Sequence, residues 1–432
     1  MNKPMKMRQK RSQDMGLRNK KWMSYQTQHL LTPSKAFDDL ETLTEIVQRE
    51  SDAPLDIRIA PPLEDPLDIL RINQGVKRGH WYSRYGSGPE DALVRKLVEM
   101  EAGYAPPGQV DALVTDCGMS AISLALDYLV RGVPMNERAG MRFLVGNTLY
   151  FMTDEVVDKN MRDQGFEEAI RVDTTNLEEV RKALEGHQER IIGVFVETIS
   201  NPLIERTDIR AMAEIAHEFD KPVIVDNTLL TPYGQQAFRL GADVVIHSLS
   251  KYLSGDGKTN GGAVLAPHDF IMGLRDFRSM RGGILSPETC KKIYAGLSNF
   301  PGEMERYLKN TRELAGYLET VRHIEKVHYL AECPDTRNGS GAVFSISLTG
   351  ASGEEKQRHE MKFFEELRKV DGPIECKTSF GDGRYGALGQ STFGWEVPDA
   401  LKGVVRLSAG LGDVRLAIGQ LRTVFERIYR GE

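Results

Sequence analysis

Short apolar, β-branched runs at 143–145, 191–196, 223–225 and 244–246 follow one another along the chain, with stretches of helical spacing between them. A short continuous apolar run suits a strand buried on both faces, and strands separated by helices pair in parallel. The pattern begins near residue 88. Leu93, Leu97 and Val98 stand at helical spacing in 91–101, a short buried strand is predicted over 112–115, and helices over 120–130 and 208–219. Together these predict an α/β domain with a mostly parallel sheet covered on both faces. A long helical stretch over 287–321 then leads to strands at 342–348 and 404–407 and helices at 354–370 and 414–429, an order that suits a smaller α+β domain. The expected division is an N-terminal arm over 1–85, a large domain over 86–290 and a C-terminal domain over 291–432.

Charge and cysteine usage narrow the function classes. Across 432 residues, 56 Lys and Arg meet 62 Asp and Glu, and a net charge of −6 argues against a nucleic-acid partner. No apolar run is long enough to span a bilayer, so no membrane partner is expected. Cys117, Cys290, Cys333 and Cys376 lie far apart, with no Cys-x-x-Cys pair and no His at zinc-ligand spacing. They read as free thiols in a reducing compartment, and no metal site is expected. The first residues lack the apolar core of a signal peptide, which points to the cytoplasm. The stretch 1–21 carries eight Lys and Arg against one acid, Asp14, without a helical period, and reads as a loosely docked or disordered arm. The prolines of 53–66 suit an extended segment.

The chemistry concentrates in 222–262. Two successive runs end in polar residues, the first at Asp226-Asn227-Thr228 and the second at His247-Ser248-Leu249-Ser250-Lys251-Tyr252. In an open α/β sheet, ligands bind beyond the carboxyl ends of the strands. A lysine there can form an imine with an aldehyde cofactor, a carboxylate can keep a pyridine nitrogen protonated, and hydroxyls can bind phosphate. Pyridoxal 5'-phosphate (PLP) meets all three demands. A lone Lys or Asp reads as a solvated surface charge, but the pair on consecutive strand ends does not.

Both blocks resemble the Cys/Met-metabolism PLP-dependent enzymes, the transsulfuration group that includes cystathionine γ-synthase, cystathionine γ-lyase and methionine γ-lyase. The resemblance runs from about Tyr82 to the C-terminus. It implies a type I aminotransferase-like PLP fold in which Lys251 holds the cofactor and moves protons, and Asp226 pairs with the ring nitrogen. The hydroxyls of Thr228, Ser248 and Ser250 are then expected to serve the phosphate. Tyr82-Ser83-Arg84 is similar to a motif whose tyrosine and arginine reach the phosphate of the neighbouring subunit. Gly118 and Met119 lie in a small-residue turn that opens a helix, where backbone N–H groups favour a phosphate. Tyr150 resembles the tyrosine that stacks on the cofactor ring and assists proton transfer. Glu197 and Asn201 match a turn whose asparagine approaches the ring oxygen. Arg406, in Val405-Arg406-Leu407-Ser408, resembles the arginine that binds the substrate α-carboxylate, and Ser379 lines the same pocket.

Several positions depart from the family pattern. Gly86-Ser87-Gly88-Pro89 replaces the usual Asn-Pro-Thr, Phe151 and Met152 replace two glycines after the stacking tyrosine, Ile199 stands where a proline is usual, and Asp256 and Gly257 follow Gly255 where His is common. The resemblance implies an amino-acid substrate, a homodimer or homotetramer with shared active sites, and γ-replacement or γ-elimination on a homoserine- or methionine-derived amino acid bearing a γ-leaving group. Replacement is favoured. The altered motifs leave room for specialised C–C or C–N bond formation, with S-adenosylmethionine as one such donor, or for C–S β/γ-lyase chemistry. The alternative from another class is a catalytically silent PLP-fold binding protein. Retention of Lys251, Asp226 and Arg406 argues against it.

Overall fold

The computed structural model describes residues 56–429 apart from 74–76, 78, 104–108, 333–334, 338 and 394–395. The basic stretch 1–21, most of the arm and Cys333 lie outside the described residues. Seven strands form the first sheet: β1 Val110–Thr115, β2 Arg142–Gly146, β3 Ile170–Val172, β4 Ile191–Glu197, β5 Val223–Asp226, β6 Val244–Ser248 and β7 Gly262–Pro267. Their spatial order is β1-β7-β6-β5-β4-β2-β3. Pairing is parallel from β3 through β6, while β7 runs antiparallel to both β6 and β1.

Successive side chains of these strands point to opposite faces, and each face has its own core. Val114, Val194, Val196, Val225 and Val245 pack on one side with Leu93 and Leu97 of the helix Gly88–Ala102. Leu113, Phe195, Ile224 and Ile246 pack on the other with Leu124 and Ala125 of the helix Gly118–Val130. Each buried Val, Leu, Ile or Phe contributes about 1.5–3 kcal/mol relative to exposure, so the alternation locks the register. The helices start where the local chemistry dictates. Ser87 accepts the Glu90 N–H ahead of Gly88–Ala102, and Asp208 accepts the Ala211 N–H ahead of Ile209–Glu218.

The second sheet is smaller. Its strands, β8 Ile324–His328, β9 Val343–Leu348, β10 Ile374–Cys376, β11 Tyr385–Gly389 and β12 Val404–Ser408, lie in the order β10-β11-β12-β9-β8. Only β10 and β11 are parallel. Phe363 of the helix Gly353–Leu367 and Val424 and Phe425 of the helix Val414–Ile428 bury Phe344, Ile346, Val405 and Leu407.

The long helical stretch expected over 287–321 is two helices, Pro287–Gly296 and Phe300–Glu319. Pro301 stands in the first turn of the second, where a missing N–H and a fixed φ are tolerated, and a continuous helix could not accept it. The second helix joins the two cores. Phe300, Met304 and Tyr307 pack into the first, and Leu314 and Leu318 into the second.

A buried ion pair fixes the exit of β1. Arg278, in the helix His268–Arg281, donates from Nη1 to Glu90 Oε1 at 2.9 Å and to the Val114 carbonyl at 2.6 Å. Both side chains are almost fully buried. Losing one partner strands the other charge without water, at a cost of about 3–5 kcal/mol. Arg278→Leu should therefore lower the unfolding free energy by about that amount in a denaturant titration, and Glu90→Leu in the same background should restore part of it. A loss within the noise of the titration would show that the pair does not hold this corner.

Candidate active site

Three neighbouring strands of the first sheet end in polar residues. In parallel pairing Glu197 at the end of β4 stands opposite Asp226 at the end of β5, and β6 ends beside them in Ser248. Asp226 Oδ1 accepts the Thr228 N–H at 2.9 Å, and Thr228 Oγ1 accepts the Ser248 N–H at 2.8 Å. Burial pushes the Asp226 carboxyl up from its ordinary range, while the Thr228 hydrogen bonds and the nearby His247 and Lys251 pull it back. Glu197 is pushed well up by burial and by the charge of Asp226. Its Oε1 accepts the backbone N–H of Tyr150 at 2.6 Å.

Lys251 follows β6 by three residues and reaches the second sheet. Its Nζ donates to Ser379 Oγ at 2.9 Å and lies 4.9 Å from the centre of the Phe380 ring. The guanidinium of Arg406, from β12, lies 5.4 Å from the same ring and donates to the Thr378 carbonyl at 2.8 Å. Burial and the positive charge of Arg406 bring the Lys251 amine down to about 8, against a smaller opposing pull from Asp226. An amine so lowered is still mostly protonated near physiological pH, but it gives up its proton far more readily than an ordinary lysine, as a nucleophile or proton carrier must. Arg406 itself is 6% exposed and is lowered by burial to about 10, so it stays cationic. Among the described residues no carboxylate forms an ion pair with it. The Tyr150 hydroxyl is close enough for the Arg406 charge to act on it, although burial raises it overall.

A close approach of backbones makes this meeting possible. Gly381 has φ +82°, and a Cβ there would lie 2.7 Å from the Tyr252 nitrogen, so only glycine lets the loop carrying Ser379 and Phe380 rest on the Lys251–Tyr252 peptide. On the other side, Gly118 opens the helix Gly118–Val130, capped by Cys117. A Cβ on Gly118 would lie 2.9 Å from Ser248 Cβ, so the helix N-terminus sits against the end of β6. Met119 follows in the first turn and packs against the core below.

These features fit PLP. The buried Asp226 carboxylate suits a protonated ring nitrogen, and a helix N-terminus beside Ser248 suits a phosphate. Asn201 Oδ1 is buried without a hydrogen-bond partner, an unmet acceptor in the turn after β4. Ser250 is less direct. Its hydroxyl donates to the Gly261 carbonyl at 3.2 Å and accepts the Gly261 N–H at 3.0 Å, tying the turn after β6 to the start of β7.

Lys251, Asp226, Thr228, Ser248, Glu197, Tyr150, Ser379, Arg406 and Gly118 thus converge within one chain. Tyr82 and Arg84 do not join them. Arg84 lies over the rings of Tyr82 and Tyr85 at 5.4 and 5.2 Å, and the segment is held by the Ser83 N–H on the Ile59 carbonyl at 2.7 Å. Two contributions escape sequence reasoning. Phe380 lies against both site cations, and a lone phenylalanine carries no sequence signal of such a role. Under Asp226, the fully buried His247 lies 2.9 Å from Glu101 Oε2, which also takes the Asn227 amide at 3.4 Å. Glu101 lies 146 residues before His247, so no local signal could pair them.

Comparison with known proteins gives the family. The family described as Cys/Met metabolism PLP-dependent enzyme matches residues 66–373. An L-methionine gamma-lyase of Fusobacterium nucleatum subsp. polymorphum is 34% identical over 368 residues, covering 81% of this chain and 87% of that protein. A cystathionine gamma-lyase of Bacillus subtilis is 32% identical over 272 residues, covering 63% and 67%. In fold, the chain is similar to a Campylobacter jejuni structure described as an O-acetylhomoserine (thiol)-lyase that carries a pyridoxyl-lysine phosphate. The TM-score is 0.72 at 22% identity, covering 89% of this chain and 99% of that one. The chain therefore belongs to the Cys/Met-metabolism PLP-dependent enzymes and is a PLP-dependent enzyme of the transsulfuration type.

Proposed function

We propose that the chain catalyses γ-replacement or γ-elimination on a homoserine- or methionine-derived amino acid bearing a γ-leaving group, with replacement favoured. The observation that carries this reading is the buried Arg406, free of any described carboxylate and set beside the same Phe380 ring as the Lys251 amine. A planar guanidinium in that position suits the α-carboxylate of an amino acid, and it leaves the substrate Cα near Lys251. When bound, PLP supplies an electron sink that acidifies the substrate hydrogens on Cα and Cβ. Lys251 holds the cofactor and carries protons between these carbons. Asp226 keeps the ring nitrogen protonated, Tyr150 covers the ring, and Asn201 and Glu197 border it. Gly118, Met119, Thr228, Ser248 and Ser250 form the phosphate side, and Ser379 lines the substrate pocket and positions the Lys251 amine.

The same reading takes the arm, large domain and small domain as 1–85, 86–290 and 291–432, and the assembly as a homodimer or homotetramer. Tyr82 and Arg84 then serve the partner's phosphate, which accords with their separation from Lys251 in their own chain. A cytoplasmic location is supported by the free thiols Cys117, Cys290 and Cys376, and no helix among the described residues is long and apolar enough to cross a membrane. One feature favours a specialised variant of the reaction, forming a C–C or C–N bond. Phe151 and Met152, 44% and 38% exposed beside Tyr150, put bulk and apolar surface where the family has glycines.

A substrate screen of the PLP-loaded enzyme, read by mass spectrometry, tests the reaction. Acylated homoserines, methionine, S-adenosylmethionine and cystathionine are each offered with and without a thiol, an amine or a carbon nucleophile. The expected products are a γ-substituted amino acid when a nucleophile is present and 2-oxobutanoate with ammonia when it is not. Lys251→Ala should lose turnover by about a thousandfold or more. Cleavage of cystathionine to pyruvate, with every γ-bond left intact, would show β-lyase chemistry instead.

Mixing subunits tests the shared site. Arg84→Ala and Lys251→Ala homo-oligomers should each be nearly inactive. Hybrids of the two should recover part of the activity, because one site receives both changes and its neighbour neither. Properly assembled hybrids without activity would rule out action of Arg84 across the interface.

A further inference from the structure

The placement of Tyr150 depends on a residue far from it in sequence. Tyr150 is the N-cap of the short helix Phe151–Glu155, with φ −56° and ψ 128° and no side-chain cap. Its carbonyl accepts the Thr153 and Asp154 N–H groups at 2.7 and 3.2 Å. The helix therefore starts directly at Phe151, where the related enzymes have two glycines. The Tyr150 N–H points the other way and donates to Glu197 Oε1 at 2.6 Å. Glu197 is 8% exposed and closes β4, an interior strand of the sheet, opposite Asp226. Tyr150 is 38% exposed, so packing alone does not hold its ring.

We propose that Glu197 is a positioning residue, which sets the Tyr150 ring over the cofactor site by holding the Tyr150 backbone to the end of β4. This rests on the reading of Tyr150 as the ring-covering residue. Glu197 acts as an acceptor rather than as a charge. Burial and the neighbouring Asp226 push its carboxyl well up, and a protonated carboxyl still offers its carbonyl oxygen to the Tyr150 N–H. Glutamine offers the same oxygen and should replace it. Alanine leaves the N–H without its partner, and methionine fills the volume of glutamate without supplying an acceptor.

The test measures the PLP dissociation constant by absorbance titration and the visible circular dichroism of the bound cofactor, in the full-length protein. The variants are Glu197→Gln, Glu197→Ala, Glu197→Met, Tyr150→Ala and the Glu197→Met/Tyr150→Ala double variant. Tyr150→Ala should weaken PLP binding about tenfold and diminish the dichroism, and Glu197→Ala and Glu197→Met should do nearly the same. Glu197→Gln should stay within about twofold of the wild type, and the double variant within about twofold of Tyr150→Ala. A further tenfold loss in the double variant would overturn the inference, because Glu197 would then act independently of Tyr150. A Glu197→Gln loss as large as that of Glu197→Met would overturn it too, by showing that the charge matters. Should Glu197→Ala fail to fold, the Met and Gln variants decide the matter. No effect of Tyr150→Ala on either readout would instead overturn the ring-covering role of Tyr150 itself, and the inference with it.

Discussion

Two carboxyl groups, Glu197 and Asp226, are buried side by side at the ends of adjacent parallel strands, and the architecture of the site follows from them. Such an arrangement is costly in an unliganded fold, because each carboxyl loses water and repels the other. Stability offers no reason to retain it. Two occupants relieve it. Glu197 takes the Tyr150 N–H, and a protonated ring nitrogen would relieve Asp226. The His247–Glu101 pair beneath supports this from the protein side, since His247 draws the Asp226 carboxyl back down.

The second sheet supplies the opposite charge. Arg406 on β12 and the loop bearing Ser379 and Phe380 meet the Lys251 turn through the Gly381 approach. Phe380 lies near both cations, and each gains from the electron-rich face of the ring. Burial and the Arg406 charge lower the Lys251 amine to about 8, while Arg406, lowered by its own burial, remains charged. The helix Phe300–Glu319, rooted in both cores, keeps the two sheets in register for this contact.

Much of this was legible in the sequence, and the limits have physical causes. Strands β4, β5 and β6 are continuous apolar runs ending in polar residues, so both their position and the role of their ends could be read locally. β7 is hard to read locally because Gly262 and a flanking glycine obscure it, and β3, three residues long, carries too little pattern. β11 contains two glycines among its five residues. The apolar period over 287–321 runs on across Leu297–Asn299 and reads as one helix, although Pro301 marks the break. Within the site, Asp226, Ser248 and Lys251 announce themselves by local spacing. Arg406 and Ser379 needed the family resemblance, since each joins Lys251 through tertiary packing. Phe380 and Glu101 carried no signal at all. Tyr82 and Arg84 were read from a motif, and nothing in a single chain completes their role.

The central claim is that Asp226 is buried to hold the proton of the cofactor ring. Turnover of Asp226→Asn, loaded with PLP and checked for native circular dichroism, tests it most directly. An amide keeps the shape and the Thr228 hydrogen bond but removes the charge. Turnover should fall on the order of a hundredfold or more, with the fold intact. A folded Asp226→Asn enzyme with near-normal turnover would contradict the account.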